Sequence, residues 1–94
     1  MKLEMTSKER ARLRSQAQTI DPVVMVGREG VTDRVVEALE KALYDHELVK
    51  VRFQDFKEET KALSEELAEK SDSALVATTG FTAVFFKKSE KNRK

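Results

Sequence analysis

The segment Val23-Val24-Met25-Val26-Gly27-Arg28-Glu29-Gly30-Val31-Thr32 constrains the fold more than any other stretch of this chain. Four apolar residues in a row predict a short strand, and Gly27-x-x-Gly30 predicts a tight turn. Thr32 is placed to cap a helix that begins at once. The sole proline, Pro22, bars helix at Asp21 and starts the segment extended. The strand shows no polar alternation, which predicts a central position covered on both faces. Such a strand–turn–helix step presents backbone N–H groups and a helix N-terminus at one exposed point. A phosphate finds partial positive charge there without a lysine. The glycines permit positive φ in the turn and close approach of another backbone. Gly-x-x-Gly is by itself a weak motif, equally suited to an ordinary strand-to-helix turn.

The flanking sequence supplies the remaining elements. Thr6-Ser7 caps a first helix over roughly 7–19, with Leu13, Ala17 and Ile20 on a narrow apolar stripe. On separate stripes lie two basic pairs at i, i+4, Lys8 with Arg12 and Arg10 with Arg14. The second helix runs over about 33–46, and Val35, Leu39, Ala42, Leu43 and His46 form its core-facing stripe. Leu48 to Phe53 alternates, with Val49, Val51 and Phe53 on one face and Lys50 and Arg52 on the other. A third helix over about 56–71 carries Phe56, Thr60, Leu63 and Leu67 inward, with Glu58, Glu59, Glu65, Glu66 and Glu69 outward. Ala74–Thr78 and Thr82–Lys87, separated by Thr79-Gly80-Phe81, read as a terminal hairpin. The order is α-β-α-β-α-β-β. Strands joined through a helix are parallel by a right-handed crossover, and the hairpin is antiparallel. The expected fold is therefore an α/β single compact domain with a four-stranded mixed sheet, the second and third helices on one face.

Ninety-four residues fit one domain, here residues 1–88 followed by a basic flexible tail over 89–94. The net charge of +1 conceals a strong asymmetry. Residues 1–20 carry five basic against two acidic residues, and residues 73–94 five against one. Residues 21–46 carry three against six, and 47–72 five against eight. If the fold brings the two ends together, a positive patch results, suited to nucleic acid; short charged tails that aid solubility are the plainer alternative. The chain has no cysteine, so disulfides and thiolate metal sites are excluded. The sequence shows no apolar leader and no run of membrane-spanning length, which leads to the expectation of a cytoplasmic protein without membrane contact. His46 is the single histidine and has no metal-ligand partners nearby; its expected role is structural, on the last carbonyls of the second helix. No metal, no cofactor and no catalytic residue is expected, because the chain has no paired acid, base and nucleophile and no P-loop lysine.

Several segments in order resemble one family. They are the basic leading helix Lys8-Glu9-Arg10-Ala11-Arg12-Leu13-Arg14, the Pro22–Thr32 segment, His46-Glu47-Leu48-Val49-Lys50-Val51, and the hairpin Gly80-Phe81-Thr82-Ala83-Val84-Phe85-Phe86-Lys87. Together they resemble the small bacterial RNA-binding proteins of the YhbY type, the free-standing form of the CRM domain. The resemblance spans nearly the whole chain. It implies a KH-like fold similar to the C-terminal domain of translation initiation factor 3, with the Gly-x-x-Gly loop on the RNA-binding surface. It also implies association with precursors of the large ribosomal subunit and no enzymatic activity. The chain departs from the family pattern at Glu29, at Phe81 where lysine is frequent, and at Phe85-Phe86-Lys87, where a hydrophobe, Tyr and Arg are usual.

The expected RNA-binding set is thus Gly27, Arg28, Gly30 and Thr32 at the loop and helix start, Lys8 and Arg12 on the first helix, Lys50 and Arg52 on the second strand, and Lys87. Phe81, at the hairpin tip, is the aromatic residue expected to be exposed. The expected partner is RNA, in particular ribosomal RNA of large-subunit precursors, bound by a monomer during ribosome assembly. The alternative is an assembly factor that docks a ribosomal or assembly protein through the acidic third helix, RNA contact being incidental. Gly30→Asp is expected to abolish tight RNA binding with the fold intact.

Overall fold

The computed structural model describes residues 6–55 and 57–88. Phe56 and the tail over 89–94 lie outside the described residues. Helix α1 spans Ser7–Ala17. Its start is a reciprocal capping box: the Glu9 N–H donates to Thr6 Oγ1 (3.1 Å) and the Thr6 N–H donates to the Glu9 carboxylate (3.1 Å). The expected last turn closes instead through i to i+3 bonds from Gln18, Thr19 and Ile20. Strand β1 is Val24–Val26, α2 is Asp33–His46 and β2 is Leu48–Phe53. Only Glu47 joins α2 to β2, and it does so at φ 65°. A 3-10 turn over Lys57–Glu59 leads into α3, Thr60–Lys70. The hairpin consists of β3, Ala74–Thr79, and β4, Thr82–Phe86. Gly80 at φ 58° and Phe81 form its two-residue loop, with positive φ at the first central residue only, the type II′ pattern.

The four strands are ordered β1-β2-β4-β3, with β1 parallel to β2 and the other pairs antiparallel. One face packs against α2 and α3: Val24, Val26, Val49, Val51, Phe53, Ala83 and Phe85 meet Leu39, Leu43, Leu67 and Ala68. The other face receives α1, whose Leu13 and Ala17 pack on Val76 and Val84, with Ile20, Leu48, Ala77 and Phe86 around them. A register shift between Leu75 and Ala77 turns Val76 into this second cluster. At the same place Arg10 Nη1 donates to the carbonyls of Leu75 (3.2 Å) and Val76 (3.3 Å). Arg10 thereby covers part of the open edge of β3.

Two expectations are corrected. β1 is an edge strand, not a central one. Its apolar run has buried Val24 and Val26 but an exposed Met25. A run of four apolar residues hides an alternation when the outward residue is itself apolar. His46 is exposed and not part of the core. It ends α2 at the rim of the sheet, where a position on the apolar stripe no longer has a strand beneath it.

Candidate nucleic-acid interface

The Gly-x-x-Gly step folds as a single turn in which the Gly30 N–H donates to the Gly27 carbonyl (3.0 Å). Gly30 is buried with φ 78°, a conformation that strains any L side chain. Gly27 differs. Its φ is not in the positive region, and a Cβ added there meets nothing within 4 Å. Arg28 and Glu29 are exposed at the tip of the turn. Val31 then packs on the core, and Thr32 Oγ1 accepts the Val35 N–H (3.2 Å) as the N-cap of α2. The remaining first-turn N–H groups carry the partial positive charge of the helix end, offset in part by Asp33. The buried, left-handed Gly30 also corrects one expectation. Gly30→Asp would place a carboxylate at a buried, strained position, so loss of binding in that variant could not be separated from damage to the turn.

Hydrogen bonds gather three segments at one end of the sheet. The Gln54 N–H donates to the Val26 carbonyl (2.9 Å), and the Phe53 N–H to the Phe81 carbonyl (2.7 Å). The loop after β1, the end of β2 and the hairpin tip are therefore neighbours. At this end one row crosses all four strands on the face opposite α2 and α3: Met25 is in register with Arg52, Arg52 with Thr82, and Thr82 with Thr79. Arg52 is exposed there, as expected. Lys50, one row further from the loop, is half-buried, and its Nζ donates to the Ile20 carbonyl just beyond α1 (3.4 Å).

The other expected residues are more scattered. Lys8 and Arg12 are exposed on α1. The Glu9 carboxyl is held below the usual range, first by the Thr6 N–H and also by the charges of Arg12 and Lys88. Glu9, Arg12 and Gln16 thus share a flank of α1 turned toward Lys88 and His46, where β2 begins. Arg14 lies about 200° around the axis from Arg12 and so occupies the opposite flank, on the loop side. Lys87 is at the far end of the sheet. Its N–H donates to the Glu47 carbonyl (3.0 Å), and its Nζ donates to the Ser71 carbonyl (3.2 Å) at the end of α3. The length of β2 separates it from the loop by about 17 Å.

The structure therefore brings together Gly27, Arg28, Gly30, Thr32 and Arg52, sets Lys50 beside them, and leaves Lys8, Arg12 and Lys87 apart. Sequence reasoning missed Met25, Thr82 and Arg14. Thr82 and Met25 share a row only through strand order, which no local pattern encodes. Arg14 was one member of a basic pair, and only the direction in which α1 crosses the sheet separates it from Arg12. The exposed glutamates Glu58, Glu59, Glu65, Glu66 and Glu69 belong to the α3 layer, on the face opposite this row. Among the described residues no group of three or more His, Asp or Glu is arranged to hold a metal ion, and no helix is long and apolar enough to cross a membrane.

Comparisons with known proteins agree with this architecture. A Bacillus subtilis protein named "Probable RNA-binding protein YqeI" is 37% identical over 90 residues, covering 95% of this chain and 94% of that protein. A Haemophilus influenzae protein named "RNA-binding protein" is 34% identical, covering 92% of this chain and 88% of its own. The solution structure of SAV1595 from Staphylococcus aureus, described as "a putative RNA binding protein", superposes with a TM-score of 0.83 at 32% identity, covering 96% of this chain and 95% of that one. The model of the CRS1 / YhbY (CRM) domain matches residues 5–87. With the fold and nearly the whole length in agreement, the chain belongs to the CRS1/YhbY (CRM) domain family.

Proposed function

We propose that this protein binds RNA through the end of the sheet that carries the Gly27–Gly30 turn, without catalysing a reaction. One observation carries the reading: Arg28 stands exposed on a turn that opens directly onto the capped N-terminus of α2. Backbone N–H groups, the helix end and a guanidinium converge where a phosphate would sit. Arg52 extends the positive surface along the sheet, and the acids of α3 are kept to the other side. The names of the relatives point the same way. The resemblance to YhbY-type proteins supports ribosomal RNA in large-subunit precursors as the target, bound in the cytoplasm by a monomer. Sedimentation of the tagged protein through sucrose gradients, with and without RNase, tests the target. Co-migration with large-subunit precursors that RNase abolishes is expected; sedimentation at the top of the gradient at low salt would refute it.

Binding of this kind is largely electrostatic. With about three phosphate contacts on a single strand, log affinity falls with log salt at a slope of about −2. The five exposed glutamates of the 3-10 turn and α3 favour a second reading, a docking face for a ribosomal or assembly protein. Charge reversal at Glu58, Glu59, Glu65 and Glu66 separates the two, since it leaves or strengthens RNA affinity in the first and breaks assembly in the second.

A further inference from the structure

The open face of the sheet beside the loop carries an apolar patch that the phosphate reading does not use. Met25, on an edge strand whose inward residues Val24 and Val26 are almost fully buried, is 48% exposed; Val23, just before that strand and beside Ile20 and Gln16, is 59% exposed. Among the described residues α1 covers only the part of this face around Val76 and Val84, and it stops short of the row through Met25, Arg52 and Thr82. Exposed apolar residues on an edge strand are a liability unless something covers them. The surroundings say what fits. Arg52 is in register with Met25, Arg28 stands just past the end of the same strand, and Arg14 is on the flank of α1 opposite Arg12. An occupant must be apolar where it meets Met25 and Val23 and anionic where it meets these guanidinium groups.

We infer that Met25, with Val23 before it, Arg52 beside it and Thr82 one strand further on, forms a seat for unpaired nucleobases, so that the protein takes a single-stranded segment of RNA rather than a duplex. The inference rests on the RNA-binding reading above. A duplex hides its base faces within the stack and offers only phosphates and sugars; it would satisfy the cations and leave Met25 beneath it uncovered. An unpaired strand offers both parts at once, a phosphate chain for the loop and Arg52 and apolar base faces for Met25. Thr82 Oγ1 already donates to the Thr79 carbonyl (2.8 Å) and keeps acceptor capacity toward a base edge.

The test is methyl NMR of protein labelled at methionine, titrated with a short oligoadenylate and, separately, with an RNA duplex of matched length. The chain has three methionines, and the signal missing from the Met25→Ala variant assigns Met25. The Met25 methyl signal is expected to move upfield with oligoadenylate, through the base ring current, and to stay in place with duplex. Met25→Ala, at an exposed position, is expected to weaken oligoadenylate about fivefold through loss of the thioether contact with the base ring and to leave duplex affinity unchanged. Oligoadenylate binding with an unmoved Met25 signal overturns the inference and leaves the RNA-binding reading standing. Equal weakening of both RNAs by Met25→Ala also overturns it. Loss of the Met25 signal on concentration without RNA, with a doubled mass, assigns the patch to a second copy of the chain instead. Failure to bind either RNA overturns the RNA-binding reading itself.

Discussion

Gly27 and Gly30 carry the same side chain for different reasons, and substituting alanine at each should separate folding from binding. Gly30 holds φ 78° at a buried position. Alanine there costs about 1–2 kcal/mol for the left-handed backbone. In a domain of this size that lowers the melting temperature by about 4–16 °C. At Gly27 φ is unexceptional and the new Cβ enters open space. The folded state loses nothing, while the unfolded chain loses freedom, so stability changes by about 0 to +1 kcal/mol. The open space in front of Gly27 is where a phosphate would approach the backbone, and losing one charge-assisted hydrogen bond costs about 1.5–3 kcal/mol, or tenfold or more in affinity. Thermal melts of both variants, with fluorescence anisotropy on a labelled ribosomal RNA fragment, give both quantities. Gly30→Ala should melt early, and Gly27→Ala should melt normally but bind weakly. A Gly27→Ala protein with full RNA affinity would refute the claim that this glycine serves the ligand. A Gly30→Ala protein with an unchanged melting temperature would refute the strain argument.

Lys87→Met should lower stability by about 1 kcal/mol, by removing the hydrogen bond to the Ser71 carbonyl; anisotropy should show RNA affinity within twofold of the parent. Arg52→Ala should reduce the slope of log affinity against log salt by about one, whereas Arg12→Ala, on the flank of α1 away from the loop, should leave that slope nearly unchanged in the same titration. Thr6→Ala should cost about 1 kcal/mol through loss of the N-cap. Glu9→Gln should flatten the acid limb of a pH melt relative to the parent. The Glu9 carboxyl is held down in the folded protein by the Thr6 N–H, so its contribution is present above the ordinary carboxylate pKa and lost as pH falls through the lowered one. An acid limb of unaltered steepness in the variant would argue against the capping box.

Much of the local structure was legible without coordinates. Thr6 with Glu9, and Thr32 ahead of Asp33, mark the starts of α1 and α2 because only a side-chain oxygen can satisfy the first N–H groups of a helix. Val49, Val51 and Phe53 are buried, while Lys50 is half-buried and Arg52 exposed, as alternation along a strand requires. The same reasoning failed at Val23–Val26, where an apolar outward residue erased the alternation, and at His46, where periodicity ran past the edge of the sheet.

The sequence by itself determined which residues form helices and strands and where the turns fall and, β1 and the end of α2 apart, which side of each faces inward, since these follow from spacing along one short segment. It also placed Arg28 beside a helix N-terminus, because the two are adjacent in the chain. Only the tertiary structure decided which cations share a surface. Strand order puts Met25, Arg52 and Thr82 in one row and carries Lys87 to the other end, and the crossing direction of α1 turns Arg14 toward the loop and Arg12 away from it. Those relations come from packing between segments dozens of residues apart, and a local period carries no information about which strand will lie beside which.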